Sequence, residues 1–146
     1  MARILLVEDS PMMAEMLLLM LRSIGYDVIV VHTLADGLLK PLEFIDAIVL
    51  DLILPNGKGV EIVRRMQDAH PDAPILVLTA IPDDLELAAI LEGAQEFLRK
   101  TDLSMAVLKR SIEKAIQRQK VRPLYKRVFG TIDAAEQKTE EMKNIC

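Results

Sequence analysis

The sequence predicts an α/β fold, a parallel β-sheet with helices on both faces. Two observations carry that expectation. Strand-like and helix-like segments alternate five times along the chain, the pattern of repeated βαβ units. The run Ile48-Val49-Leu50 is apolar without alternation, as in a central parallel strand covered on both faces. The run ends on Asp51, and a charge there is costly unless something pairs with it. Pro55-Asn56-Gly57 is strong turn chemistry just beyond, so Asp51 belongs at or near the carboxyl end of its strand. In open parallel sheets that edge is where ligands collect.

The elements follow in order. Arg3 to Val7 is a short β-rich run ending at Glu8-Asp9-Ser10-Pro11. Ser10 suits an N-cap and Pro11 a first helical residue, so a helix starts there and runs to Ser23-Ile24, closed by Gly25 in a left-handed cap. Asp27 to His32 is the second strand. Leu34 to about Leu42 forms a short helix, with Pro41 near its end. Asp46 to Asp51 is the third strand. Gly59 to Asp68 places Val60, Val63 and Met66 at helical spacing, with Glu61, Arg64 and Arg65 outward. Ile75 to Thr79 is the fourth strand. Pro82-Asp83-Asp84 opens a helix with acids at its positive dipole end, and Gly93 ends it. Gln95 to Arg99 is the fifth strand, Lys100-Thr101-Asp102 a loop, and Leu103 to about Lys120 a last helix. Pro123 then interrupts the pattern. Residues 121–146 read as a linker or a C-terminal helical extension, with a weakly amphipathic candidate at Asp133 to Lys143 that could dimerise or lead into an effector domain.

The chain of 146 residues is long enough for one real core. Its 51% apolar and 27% charged residues are those of a globular domain. Net charge is −4, and no basic block runs through residues 1–120, which argues against nucleic-acid binding by this chain. The lone Cys146 permits no internal disulfide and suits a reducing cytosol. Neither a signal peptide nor a membrane span is expected, so the expected location is cytoplasmic.

Four strand ends carry polar residues: Glu8 and Asp9, Asp51, Thr79 and Lys100. In a parallel sheet these ends share one edge. Packed carboxylates repel, and one is expected to take up a proton unless a cation lies among them. All-oxygen ligands point to a hard ion, Mg²⁺ before zinc. Lys100 offers a fixed charge and Thr79 a hydroxyl, which together suit an anion placed on Asp51, such as a transferring phosphoryl group.

On these residues the chain resembles the receiver domain of bacterial two-component response regulators, over residues 3 to 120. Leu5 to Ser10 resembles the acidic-pair motif, Val49 to Gly59 the phospho-acceptor loop, Leu76 to Ala80 the switch segment, and Gly93 to Lys100 the end of the domain. The resemblance implies a single (βα)5 flavodoxin-like, doubly wound domain with strand order 2-1-3-4-5. It implies that Asp51 takes a phosphoryl group from the phosphohistidine of a sensor kinase or a histidine phosphotransfer protein. Mg²⁺ would be held by Glu8, Asp9, Asp51 and the backbone carbonyl of Ile53. Thr79 and Lys100 would bind phosphoryl oxygens, and Phe97 would be the aromatic that swings inward. Such a chain is a signalling domain that assists its own phosphotransfer and dephosphorylation, not an enzyme with a separate substrate.

There are departures from the pattern. Thr101 follows Lys100 where the family usually has proline. A cis bond before a non-proline residue costs about 3 kcal/mol, so a trans peptide is expected. Ile53 and Ile81 stand where polar residues are common, and are expected to limit water's access and slow loss of the phosphoryl group. Met12, Met16 and Leu19 form an apolar stripe opposite Met13, Leu17, Met20 and Ile24, a surface for a histidine-bearing partner or a homodimer. His32 and His70 read as structural or surface residues. Among alternatives, a haloacid-dehalogenase-like phosphatase would need an acid where Ile53 stands, and a flavodoxin-like cofactor binder would not put two acids after the first strand. A pseudo-receiver that binds partners without phosphorylation remains the second reading.

Overall fold

The computed structural model describes residues 2–39, 44–54, 57–58, 61–80, 88, 90 and 92–129, with backbone alone for 53–54, 57–58 and 122–129. Five strands form one sheet: β1 (Arg3–Val7), β2 (Asp27–Val31), β3 (Ala47–Leu50), β4 (Ile75–Thr79) and β5 (Glu96–Arg99). Their order is β2-β1-β3-β4-β5, all parallel. The strand order therefore reverses between β1 and β3, which opens a crevice at their carboxyl ends. Ile53–Leu54 and Gly57–Lys58 pair antiparallel as a separate small hairpin just past β3.

Alternation along each strand sends side chains to two layers. Leu5 and Val7 of β1, Ile48 and Leu50 of β3, and Ile75 and Val77 of β4 meet Leu34 of α2 (Leu34–Leu38) and Ile62, Val63 and Met66 of α3 (Glu61–Ala69). Ile4, Leu6, Val49, Leu76 and Leu78 face the other way. They meet Leu17 and Leu21 of α1 (Pro11–Ile24) and Leu108 and Ile112 of α4 (Met105–Phe129). Each aliphatic side chain so buried contributes about 1.5–3 kcal/mol before the cost of ordering it.

Local sequence sets where the helices begin and end. Ser10 Oγ accepts the Met13 N–H at 3.3 Å, Pro11 fills the first turn, and Gly25 caps the end at φ +113. Thr33 Oγ1 accepts the Asp36 N–H at 3.1 Å and opens α2. Ser104 Oγ accepts the Val107 N–H at 3.1 Å and opens α4. Gly93, at φ +120, takes the turn before β5 in the left-handed region where glycine costs least.

Two expectations need correction. Helix α2 stops at Leu38, not near Leu42, because Leu39 turns extended at φ −70, ψ 138; Pro41 two residues on disfavours continuing the helix. Helix α4 does not stop at Lys120 or Pro123 but runs to Phe129. A proline interior to a helix removes one hydrogen bond and bends the axis, and good helix formers such as Lys120, Arg122, Leu124 and Lys126 carry it through. The candidate helix at Asp133 to Lys143 lies outside the described residues, as do Pro82 to Asp84 and Ile81. Among the described residues there is no cis peptide, so the Lys100–Thr101 bond is trans, and Lys100–Asp102 forms a 3-10 turn. No described helix is long and apolar enough to cross a membrane.

Candidate functional site

The crevice is built from residues that immediately end strands. The Glu8 N–H donates to Val31 O at 3.1 Å, which holds the end of β1 to β2. The Asp51 N–H donates to Val7 O at 3.2 Å, so Asp51 stands beside Glu8 one residue past β3. Thr79 is the last residue of β4, and Lys100 follows β5 directly. Sheet register thus gathers four side chains that lie as much as 92 residues apart in sequence.

The two oxygens of Asp51 have different donors. Thr79 Oγ1 donates to Asp51 Oδ1 at 3.1 Å, and Lys100 Nζ donates to Asp51 Oδ2 at 3.2 Å. Lys100 Nζ also reaches Glu8 Oε1 at 2.9 Å. Glu8, Asp51 and Thr79 are buried and Asp9 is exposed. One ammonium group therefore bridges two buried carboxylates. Glu8 Oε2 is also buried and has no hydrogen-bond partner among the described residues, a costly condition for a polar atom.

The electrostatics follow from that arrangement. Burial above all, together with the neighbouring Asp51 carboxyl, pushes Glu8 up to about 7 against the opposing pull of Lys100. The rise at Glu8 is in the direction expected for an acid crowded by other carboxylates. Burial works against the Lys100 charge, but the hydrogen bond to Glu8 and the charges of Asp51 and Glu8 outweigh it and leave its pKa raised. One carboxylate oxygen each from Glu8, Asp9 and Asp51 lies within 4.8 Å of the others. With the orphaned Oε2 and an all-oxygen donor set, these residues fit a small hard cation.

Phe97 lies on β5 opposite Val77, half-buried against the layer that contains Val7 and Val77. Ile53 begins the small hairpin two residues past Asp51, and its side chain lies outside the described residues. Met12 (84% exposed), Met16 (41%) and Leu19 (60%) leave an apolar stripe on α1, while Leu17 is buried and Met13, Met20 and Ile24 pack inward. His70 is buried, with Nε2 2.7 Å from Gly37 O, and ties α3 to α2. His32 is the residue that sequence reasoning passed over: its Nδ1 lies 3.0 Å from the carbonyl oxygen of Glu8. Its place just after β2, the strand beside β1, was the signal that could have found it.

The chain is similar in sequence and fold to known proteins. The family model for the response regulator receiver domain matches residues 4–121. The DNA-binding response regulator MtrA of Mycolicibacterium smegmatis is 37% identical over 100 residues, covering 67% of this chain and 43% of its own length. The chain thus spans less than half of that curated relative. A receiver domain from Clostridium thermocellum superposes with TM-score 0.74 at 28% identity, covering 83% of this chain and 98% of its own. The receiver domain of a sensor histidine kinase from Pseudomonas aeruginosa PAO1, solved with a magnesium ion in its active-site cleft, superposes with TM-score 0.66 at 28% identity, covering 80% and 98%.

Proposed function

The chain belongs to the response regulator receiver domain family, and from that premise we propose that Asp51 is the phosphoryl acceptor of a two-component relay. The donor would be the phosphohistidine of a sensor kinase or a histidine phosphotransfer protein. The observation that carries the reading is the pair of donors on Asp51. Thr79 Oγ1 and Lys100 Nζ each hold one of its oxygens within 3.2 Å, in a pocket where Asp51 itself is nearly buried. Burial keeps competing water away and strengthens each charge–dipole contact.

The residues divide the work. An Asp51 carboxylate oxygen attacks phosphorus as the bond to the histidine nitrogen breaks. Lys100 and Thr79 then turn from Asp51 to the phosphoryl oxygens, offering ammonium and hydroxyl donors to the arriving charge. Glu8, Asp9 and Asp51, with the Ile53 carbonyl, would hold Mg²⁺. When bound, the ion neutralises carboxylate and phosphoryl oxygens that would otherwise repel. Thr79 and Phe97 read the change: the hydroxyl follows the phosphoryl group, and Phe97 moves inward into the space beside β4. The output is a changed surface on a partner or a second copy of the chain, and the apolar stripe on α1 is the proposed face for the histidine donor. The reading gives this cytoplasmic domain no nucleic-acid contact of its own, in keeping with its net charge of −4.

The test is chemical. The full chain is incubated with Mg²⁺ and a small phosphodonor, with EDTA and Asp51→Asn as controls. A single acid-stable, base-labile phosphate on the wild type alone, dependent on Mg²⁺, supports the reading. No phosphate on the wild type, and no spectral response to beryllofluoride, would leave a pseudo-receiver that acts by binding alone.

A further inference from the structure

We propose that His32 is a positioning residue that fixes the Glu8–Asp9 peptide and so sets the affinity of the acidic site for a divalent cation. The proposal rests on the reading of Glu8, Asp9 and Asp51 as a cation site. Residue Glu8 is gripped on both sides by the end of β2. Its N–H donates to Val31 O at 3.1 Å, and its carbonyl oxygen lies 3.0 Å from His32 Nδ1. A carbonyl oxygen can only accept, so Nδ1 carries the hydrogen and His32 donates.

The location of that bond gives it a consequence. A peptide unit is planar, so the carbonyl of Glu8 and the N–H of Asp9 turn together. Glu8 is buried and Asp9 is exposed. The plane between them decides whether both carboxylates aim at the same point. The oxygens of Glu8, Asp9 and Asp51 do converge within 4.8 Å, and the His32 bond holds the one plane that links two of the three. Without it this carbonyl is free to turn to water, and the two acids lose a common direction before the cation arrives. Preorganisation of this kind raises affinity by removing an ordering cost at binding.

Position within the side chain separates this role from mere bulk. In histidine Nδ1 is bonded to Cγ, and in asparagine the amide nitrogen is bonded to Cγ as well. In glutamine the amide nitrogen lies one atom further out, where Nε2 would be. Asparagine therefore restores the donor to Glu8 O, and alanine and glutamine do not.

The experiment measures Mn²⁺ binding to the full chain by electron paramagnetic resonance of the free ion, with no phosphodonor present. His32→Ala and His32→Gln are expected to weaken binding about three- to tenfold, the worth of one hydrogen bond, and His32→Asn to return it to near the wild-type value. Nitrogen-15 spectra of the wild-type ring are expected to show the Nδ1–H tautomer at neutral pH. Equal Mn²⁺ affinity in all four proteins, or an Nε2–H ring in the wild type, overturns the proposal. Glu8→Gln is measured alongside. If it too leaves Mn²⁺ binding unchanged, the cation site itself is wrong; if it weakens binding while the His32 variants do not, the positioning role alone is wrong. The wild-type tautomer and the Asn–Gln contrast decide the matter even where His32→Ala fails to fold.

Discussion

Glu8→Gln should remove a pH dependence of stability that the wild type carries. In the folded protein Glu8 is raised from 4.5 to about 7, chiefly by burial. Below pH 4.5 the folded and unfolded states both hold this proton and the group adds no slope. Between about 4.5 and 7 the unfolded chain releases it while the folded chain keeps it, so stability falls as pH rises. Above 7 both states are ionised and the loss is complete. A shift from 4.5 to about 7 corresponds to about 3 kcal/mol lost across that window. Glutamine keeps an oxygen for Lys100 Nζ and has no proton to lose. Urea unfolding in EDTA, followed by circular dichroism at pH 4.5 and pH 8, gives the stability of each protein. The difference between variant and wild type cancels the other titrating groups, and it should move in favour of Gln by about 3 kcal/mol from pH 4.5 to pH 8. Mg²⁺ at pH 8 should recover part of the loss in the wild type only. A difference that does not change with pH would refute the placement of Glu8 as a buried, proton-holding acid.

Other outcomes follow from single contacts. Thr79→Val should remove the 3.1 Å bond to Asp51 and cost about 1.5–3 kcal/mol, since the partner is a charged group; Thr79→Ser should keep most of it, and denaturant titration at pH 8 distinguishes the two. Gly93→Ala should cost about 1–2 kcal/mol or more, because φ is +120 and a Cβ there would run into the Gln67 amide; melting temperature reports it. Arg118→Met should cost no more than about 1 kcal/mol and lose its effect in high salt. Its guanidinium bridges Glu96 at 2.8 Å and Gln95 O at 2.7 Å but is 56% exposed.

Much of this was legible in the sequence, for identifiable reasons. The strands were visible because central parallel strands are apolar throughout, and Ile75 to Thr79 was delimited to the residue. The start of α1 was visible because Ser10 caps it and Pro11 follows, whereas the caps at Thr33 and Ser104 were not read from the sequence. The candidate site was legible because its residues end or directly follow strands that the sequence marks, and a parallel sheet sends all such ends to one edge. What was not legible depends on geometry that pattern does not encode. Pro123 marks a break in sequence, yet the backbone of α4 passes through it to Phe129, because flanking helix formers outweigh one lost bond. Which acid is raised, and how far, depends on a burial that only the folded sheet creates. The expected strand order already put β2 beside β1, but that the ring nitrogen of His32 reaches the Glu8 carbonyl oxygen is side-chain geometry that pattern does not encode.

The most direct test of the central claim is the identity of the phosphorylated residue. After reaction with a small phosphodonor and Mg²⁺, borohydride reduces an aspartyl phosphate to homoserine, and peptide sequencing by mass spectrometry locates it. Homoserine is expected at position 51 alone, and none when EDTA is present. Homoserine at Asp9 or any other acid, or none anywhere while the wild type retains phosphate, would contradict that claim.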